Sequence, residues 1–169
     1  MNLLEHEAKQ ILKTSGIAVP SSKLIKEADA TPNPPAVLKS QVPVGGRGKL
    51  GGILLGETED EIARHINTLL QRPIKGYTPT IILAEELLSI KKEFYLSLAV
   101  DRDTASIRLL AHQSGGIEIE SKDPLSFFSR YSISNFDQIG DELADYYNIP
   151  NKAFVVGELL QHLHRCLVN

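Results

Sequence analysis

Residues 45–52, Gly-Gly-Arg-Gly-Lys-Leu-Gly-Gly, place five glycines and two basic side chains within eight positions. Backbone N–H groups in such a stretch can close over phosphates, because no Cβ atoms obstruct them. Arg47 and Lys49 add positive charge at the tip, and Lys39 stands on the run Ala36–Val42 that leads in. A lysine on a strand beneath a glycine flap suits phosphoryl transfer, whose catalysis is mostly positioning and charge neutralisation. Two familiar patterns fail on context. Gly46 to Gly51 satisfies G-x-G-x-x-G, but that dinucleotide signature needs a helix next, and Gly52-Ile53-Leu54-Leu55-Gly56 reads as a strand. A Walker A loop needs Ser or Thr after Gly48-Lys49, where Leu50 stands. A protein kinase carries its lysine after the glycine loop, with catalytic-loop and D-F-G motifs that do not occur here. The plain alternative is a mobile hairpin whose basic residues only aid solubility.

A second set of polar residues follows an apolar run. Ile81-Ile82-Leu83-Ala84 leads into Glu85 and Glu86, then Leu87-Leu88, and Glu93 precedes the next run. Carboxylates at strand ends can accept hydrogen bonds from a ribose or an exocyclic amine, and the Leu88 backbone could meet a base; the alternative is a solvated turn. Gln113 to Glu120 reads as a glycine turn into an alternating strand. His162 and His164 share a predicted helix but point about 200° apart, so they cannot chelate one ion. His6, His65 and His112 are isolated, and Cys166 lies in an apolar helix, so packing and surface roles are expected for all of them.

The elements that must carry these groups are legible. A helix is expected from Asn2, capped there with Glu5 as its capping-box partner, with Leu4, Ala8, Ile11 and Leu12 at helical spacing and a stop at Gly16. Strands are expected at 23–25, 36–42, 53–55, 80–87, 93–100 and 107–111, with a turn at Asp101–Thr104 and a loop at 28–35. Thr58 and Glu61 form a second capping box ahead of Ile62, Ile66 and Leu69. After Pro124 the pattern turns helical, through Phe136, Ile139 and Leu143 and again over 153–168. The order is mixed α+β with hairpins rather than strict βαβ alternation.

Net charge is −3, so bulk electrostatics draw the chain to neither nucleic acid nor membrane. No stretch approaches the roughly 20 apolar residues of a membrane span. The N-terminus carries acids rather than a secretory signal, and the single cysteine excludes an intrachain disulfide, so a cytoplasmic location is expected.

Several ordered motifs together resemble the beta subunit of succinate–CoA ligase (succinyl-CoA synthetase). They are Met1-Asn2-Leu3-Leu4-Glu5-His6-Glu7-Ala8-Lys9-Gln10, Lys39-Ser40-Gln41-Val42 with the glycine loop, Ala84-Glu85, Lys92-Glu93-Phe94-Tyr95, Val100-Asp101-Arg102 and Gly115 to Glu120. The resemblance runs over nearly the whole chain and implies an ATP-grasp fold, α+β with mixed or antiparallel sheets flanked by helices, incomplete at its C-terminal end. It implies a nucleotide-binding lobe near 21–100 and a second lobe from 1–20 with 101–169, the nucleotide lying between them. Lys39 would meet the ATP phosphates, and Gly46, Arg47 and Gly48 would form the flap. Glu85 and Leu88 would hold the adenine edge, Leu88 by its backbone, and Glu93 would bind the ribose. The family reaction turns ATP, succinate and CoA into ADP, phosphate and succinyl-CoA through a phosphohistidine on an alpha subunit, the expected partner. Magnesium is expected for the family, with its ligands and the CoA-ligase domain lying beyond Asn169. Uncovered apolar surface would then favour self-association. A related acyl-CoA ligase, such as malate–CoA ligase, and a non-catalytic nucleotide-binding or interaction module are the other readings.

Overall fold

The computed structural model of the chain describes residues 3–26, 31–116, 118–131 and 133–168. The expected cap at Asn2 and part of the expected loop at 28–35 lie outside the described residues. Two units divide the chain, Met1–Ile11 with Ala18–Ser89 and Leu12–Ile17 with Ile90–Asn169.

In the first unit the elements are helix α1 (Glu5–Thr14), strands β1 (Ser22–Ile25), β2 (Ala36–Ser40) and β3 (Ile53–Gly56), helix α2 (Glu59–Gln71) and strand β4 (Ile82–Glu86). The strands form one sheet in the order β1-β4-β2-β3, every pair antiparallel. Strand β2 alternates with the pleat: Ala36, Leu38 and Ser40 are buried, while Val37 and Lys39 face the other way, half-buried. The buried face packs against Ile62, Ile66 and Leu69 of α2, joined by Ile25, Ile82 and Ala84. Helix α2 starts as its sequence dictates, with Glu61 N donating to Thr58 Oγ1 at 3.2 Å. The Glu61 carboxylate reaches back to Glu57 N at 2.9 Å, one residue before the position a capping box specifies.

At the start of α1 it is Glu7, not Glu5, whose carboxylate takes a backbone donor, Leu4 N at 2.7 Å. The helix ends as expected at Gly16, whose φ of 88° is the left-handed conformation glycine adopts at no Cβ cost. Ile17 N bonds Leu12 O and Gly16 N bonds Lys13 O, which satisfies the last carbonyls in a Schellman arrangement.

The second unit holds strands β5 (Tyr95–Asp101), β6 (Ser106–His112) and β7 (Phe128–Tyr131) and helices α3 (Phe136–Tyr146) and α4 (Ala153–Val168). Its sheet runs β5-β6-β7, also antiparallel, and its core gathers Leu109, Ala111, Leu143, Ala144, Tyr147, Val156 and Leu160. The β5–β6 turn is held by the Asp101 carboxylate, which accepts from Asp103 N and Thr104 N at 3.0 and 3.1 Å. Strand β5 pairs with β6 over its full length, and residues 90–100 belong to this unit. Helix α1 up to Ile11 belongs to the first unit.

Two expectations change in this region. The strand expected after Gly116 is replaced by short 3₁₀ turns at Ile119–Ser121 and Pro124–Ser126, with Ile117 outside the described residues. Ser121 Oγ donates to Glu118 O at 2.8 Å, and the Asp123 carboxylate accepts from Leu125 N at 2.9 Å. These local bonds offer the backbone a turn in place of a ladder. Strand β7 was not expected, because its four residues are only half-buried or exposed and show no alternation.

Helices α3 and α4 approach closely at a pair of glycines. A Cβ built on Gly140 would lie 2.8 Å from Gly157 Cα and 2.9 Å from Ala153 O, both backbone atoms that cannot rotate away. Gly140→Ala is therefore expected to lower stability by about 2 kcal/mol despite alanine's better helix propensity. Thermal unfolding checks this, and an unchanged or higher Tm would count against so close a contact. No helix among the described residues is long and apolar enough to cross a membrane.

Candidate functional site

The glycine loop is the connection of the β2–β3 hairpin. Ser40 N donates to Gly52 O at 2.9 Å and closes its base, continuing the register in which Lys39 faces Ile53. Within it the Arg47 carbonyl accepts from Gly52 N at 2.8 Å and from Leu50 N at 3.1 Å, so the second half is a tight, defined turn. Gly46 and Gly51 have φ of 75° and 72°, a region closed to most side chains. A Cβ on Gly52 would meet Ile74 Cδ1 at 2.5 Å, whereas a Cβ on Gly45 or Gly46 would meet no atom within 4 Å. One end of the loop is packed down and the other is open.

Lys39 and Glu85 are brought together by strand register. Val37 pairs with Glu85 and Lys39 with Leu83, so Lys39 and Glu85 are diagonal neighbours on the sheet face opposite α2. The Lys39 ammonium bonds the Glu85 carboxylate directly, and Glu85 is only 3% exposed. Two residues of α1 complete the cluster. Glu5 and Lys9, one turn apart, pair with each other at 2.9 Å; Lys9 also bonds Glu85, and Glu5 lies 3.1 Å from Lys39 Nζ. Arg47 does not extend from the loop tip. Its guanidinium turns back beneath the loop, donating to Ser40 O at 2.7 Å and pairing with Glu5. Gln41 ties α1 to the end of β2, accepting from His6 N at 3.1 Å and donating to Lys39 O at 3.1 Å.

Three cations, Lys9, Lys39 and Arg47, thus face two carboxylates, Glu5 and Glu85, a formal excess of one positive charge. Burial alone would raise the Glu5 pKa. The hydrogen bond from Lys9, the charges of Lys39 and Lys9, and the hydrogen bond from Arg47 outweigh it and bring the carboxyl down to about 2. Burial works against the charged form of Lys39 as well, but the Glu85 hydrogen bond and the Glu5 charge hold its pKa above the ordinary lysine value. Glu5 and Lys39 are therefore both ionised at neutral pH, and the arrangement is a partly buried cluster of cations with their counter-ions in place.

Of the residues singled out from sequence, Lys39, Gly46, Arg47, Gly48 and Glu85 gather here. Leu88 lies just beyond β4 in the same unit, 48% exposed. Glu93 belongs to the other unit, where its carbonyl accepts from Gly115 N at 3.0 Å and its carboxylate lies beside Gly116. Glu5 and Lys9 were missed as site residues. The available signal was an acid–base pair at i, i+4, set one turn before Leu12 on a half-buried stripe of α1. Among the described residues no group of three or more His, Cys, Asp or Glu side chains could hold a metal ion. Three of the histidines serve packing and local bonding: His162 lies beside Gly16, the His164 ring is 5.3 Å from Phe136, and His112 Nδ1 accepts from Ser114 N at 3.0 Å.

Comparison with known proteins agrees with this architecture. The family model described as ATP-grasp domain matches residues 2–145. The succinate–CoA ligase [ADP-forming] subunit beta of Ignicoccus hospitalis is 44% identical over 126 residues, covering 71% of this chain and 34% of that protein. The same subunit of Methanocaldococcus jannaschii is 41% identical over 124 residues, with the same coverage. The chain spans about a third of the length of these curated relatives. Among solved structures, Ca. Korarchaeum cryptofilum ACD1 in complex with coenzyme A has a TM-score of 0.75 at 19% identity, over 99% of this chain and 80% of that one. ATP citrate lyase from Methanothrix soehngenii, in complex with citrate and coenzyme A, has a TM-score of 0.69 at 21% identity, over 97% of this chain and 43% of that one. These two likenesses concern the fold, α/β with antiparallel sheets flanked by helices. By the family model and its fold, the chain belongs to the ATP-grasp domain family.

Proposed function

We propose that this chain is the nucleotide-binding part of an ATP-dependent acyl-CoA ligase, and specifically of a succinate–CoA ligase beta subunit. The single observation that carries the reading is the Lys39–Glu5–Arg47 cluster beneath the glycine loop, because it offers two fixed cations under open backbone to an incoming polyphosphate. The identity to succinate–CoA ligase beta subunits supports the choice of acid. On this reading Lys39 meets the nucleotide phosphates and Gly46, Arg47 and Gly48 form the flap over them. Glu85 and the Leu88 backbone hold the adenine edge, and Glu93 binds the ribose. The residues neutralise and orient ATP; the phosphoryl group passes to a histidine of an alpha subunit, and no histidine of this chain receives it. The described residues supply no ligand cluster that fits magnesium, so no step is assigned to it. A second reading is a nucleotide-binding module without catalysis.

Titration with ATP by calorimetry tests the binding claim, and absence of binding overturns it. Succinyl-CoA formation on adding an alpha subunit then separates the two readings. Activity excludes the binding-only module, ATP binding without activity supports it, and activity with malate in place of succinate reassigns the acid.

A further inference from the structure

We propose that the Glu5 carboxylate is a built-in stand-in for a phosphate group, holding Lys39 and Arg47 in place until a nucleotide polyphosphate displaces it. This rests on the nucleotide reading above and adds a residue and a competition to it. The carboxylate lies where an anion belongs. One oxygen, Oε1, is 3.1 Å from Lys39 Nζ, and the other, Oε2, bonds the Arg47 guanidinium. These are the two cations that the strand and the loop present together, and a planar two-oxygen anion is what such a pair binds. The carboxylate comes from α1, outside both the strand and the loop.

The design leaves no orphaned charge when the exchange occurs. Lys9 lies 2.9 Å from Glu5 on the same helix and also bonds Glu85, so both acids keep a cation after Lys39 and Arg47 turn to phosphate. A buried carboxylate stripped of every partner would be far costlier. Arg47 is further anchored by Ser40 O, which keeps the guanidinium aimed beneath the loop whichever anion it holds. The competition also confers selectivity. An incoming anion must replace a carboxylate held by three cations, which a triphosphate with several charges does better than a singly charged anion.

The experiment is calorimetric titration of the full chain and of Glu5→Gln with ATP and with inorganic tripolyphosphate, alongside thermal unfolding of both forms. Glu5→Gln is expected to bind both ligands about tenfold more tightly while unfolding at a lower temperature. A merely structural residue would not raise affinity as stability falls. Glu5→Asp, which keeps the charge but draws it back by one methylene, is expected to move affinity in the same direction and serves if the glutamine variant does not fold. Equal or weaker binding by the folded variants, with ATP bound by the unaltered chain, overturns the stand-in role alone. Binding of ATP by neither form overturns the nucleotide reading and this proposal together.

Discussion

Replacing Lys39 with alanine is expected to weaken ATP binding by roughly 10- to 100-fold, the equivalent of about 1.4–2.7 kcal/mol. The side chain projects from β2 on the face away from the α2 core, so its removal leaves the packed side of the sheet untouched. What is lost is a fixed charge directly beneath the glycine loop, held ready by Glu85 and Glu5. Glu85 keeps Lys9 as a partner, which limits the cost of leaving a buried carboxylate. A thermal unfolding curve that still shows a cooperative transition establishes that the variant is folded. Unchanged affinity in that folded variant would remove Lys39 from the phosphate site and leave the glycine loop as a plain hairpin connection.

The second large effect concerns acid. Glu5 titrates near 2 in the folded chain against an ordinary 4.5. The folded value is the lower one, so the contribution is fully present above about pH 4.5 and is lost as pH falls through the folded value. The difference corresponds to about 3 kcal/mol of stability disappearing between pH 4.5 and 2. Its causes are local: burial opposes the charged form, and Lys9, Lys39 and Arg47 more than compensate. Urea unfolding at pH 7 and pH 3 should show a steeper loss for the unaltered chain than for Glu5→Gln, which has no proton to take up at that position. Equal losses in the two proteins would show that the ion cluster is not formed in solution as described. The stability that Glu5 supplies at neutral pH is the same interaction that a bound polyphosphate would take over.

Much of the site was legible from local pattern. The five glycines between two apolar runs, with Lys39 on the first, specify a hairpin connection over a strand lysine, and the β2–β3 pairing has that form. Thr58 before an acidic turn and the stripe Ile62, Ile66, Leu69 specify α2, because capping and helical periodicity act over three or four residues. Gly16 ends α1 for the same reason. Where local signals conflicted, the reading failed. Residues 118–120 alternate like a strand, but Ser121, Asp123 and Pro124 draw the backbone into turns, and β7 gives too little alternation to be seen.

What sequence alone determined is therefore the set of parts: a phosphate-compatible loop, its lysine, an N-terminal helix, and acids at the end of an apolar strand. Only the tertiary structure decided that these parts form one cluster. Lys39 meets Glu5 across 34 residues and Glu85 across 46, and Lys9 meets Glu85 across 76. Periodicity states which face a residue occupies but not which strand lies beside it. The order β1-β4-β2-β3 seats the last strand of the unit between the first two, and the register of Val37 against Glu85 then sets Lys39 on the diagonal. That pairing is chosen by burial of the whole α2 face of the sheet, a property of the assembled unit that no stretch of eight residues contains.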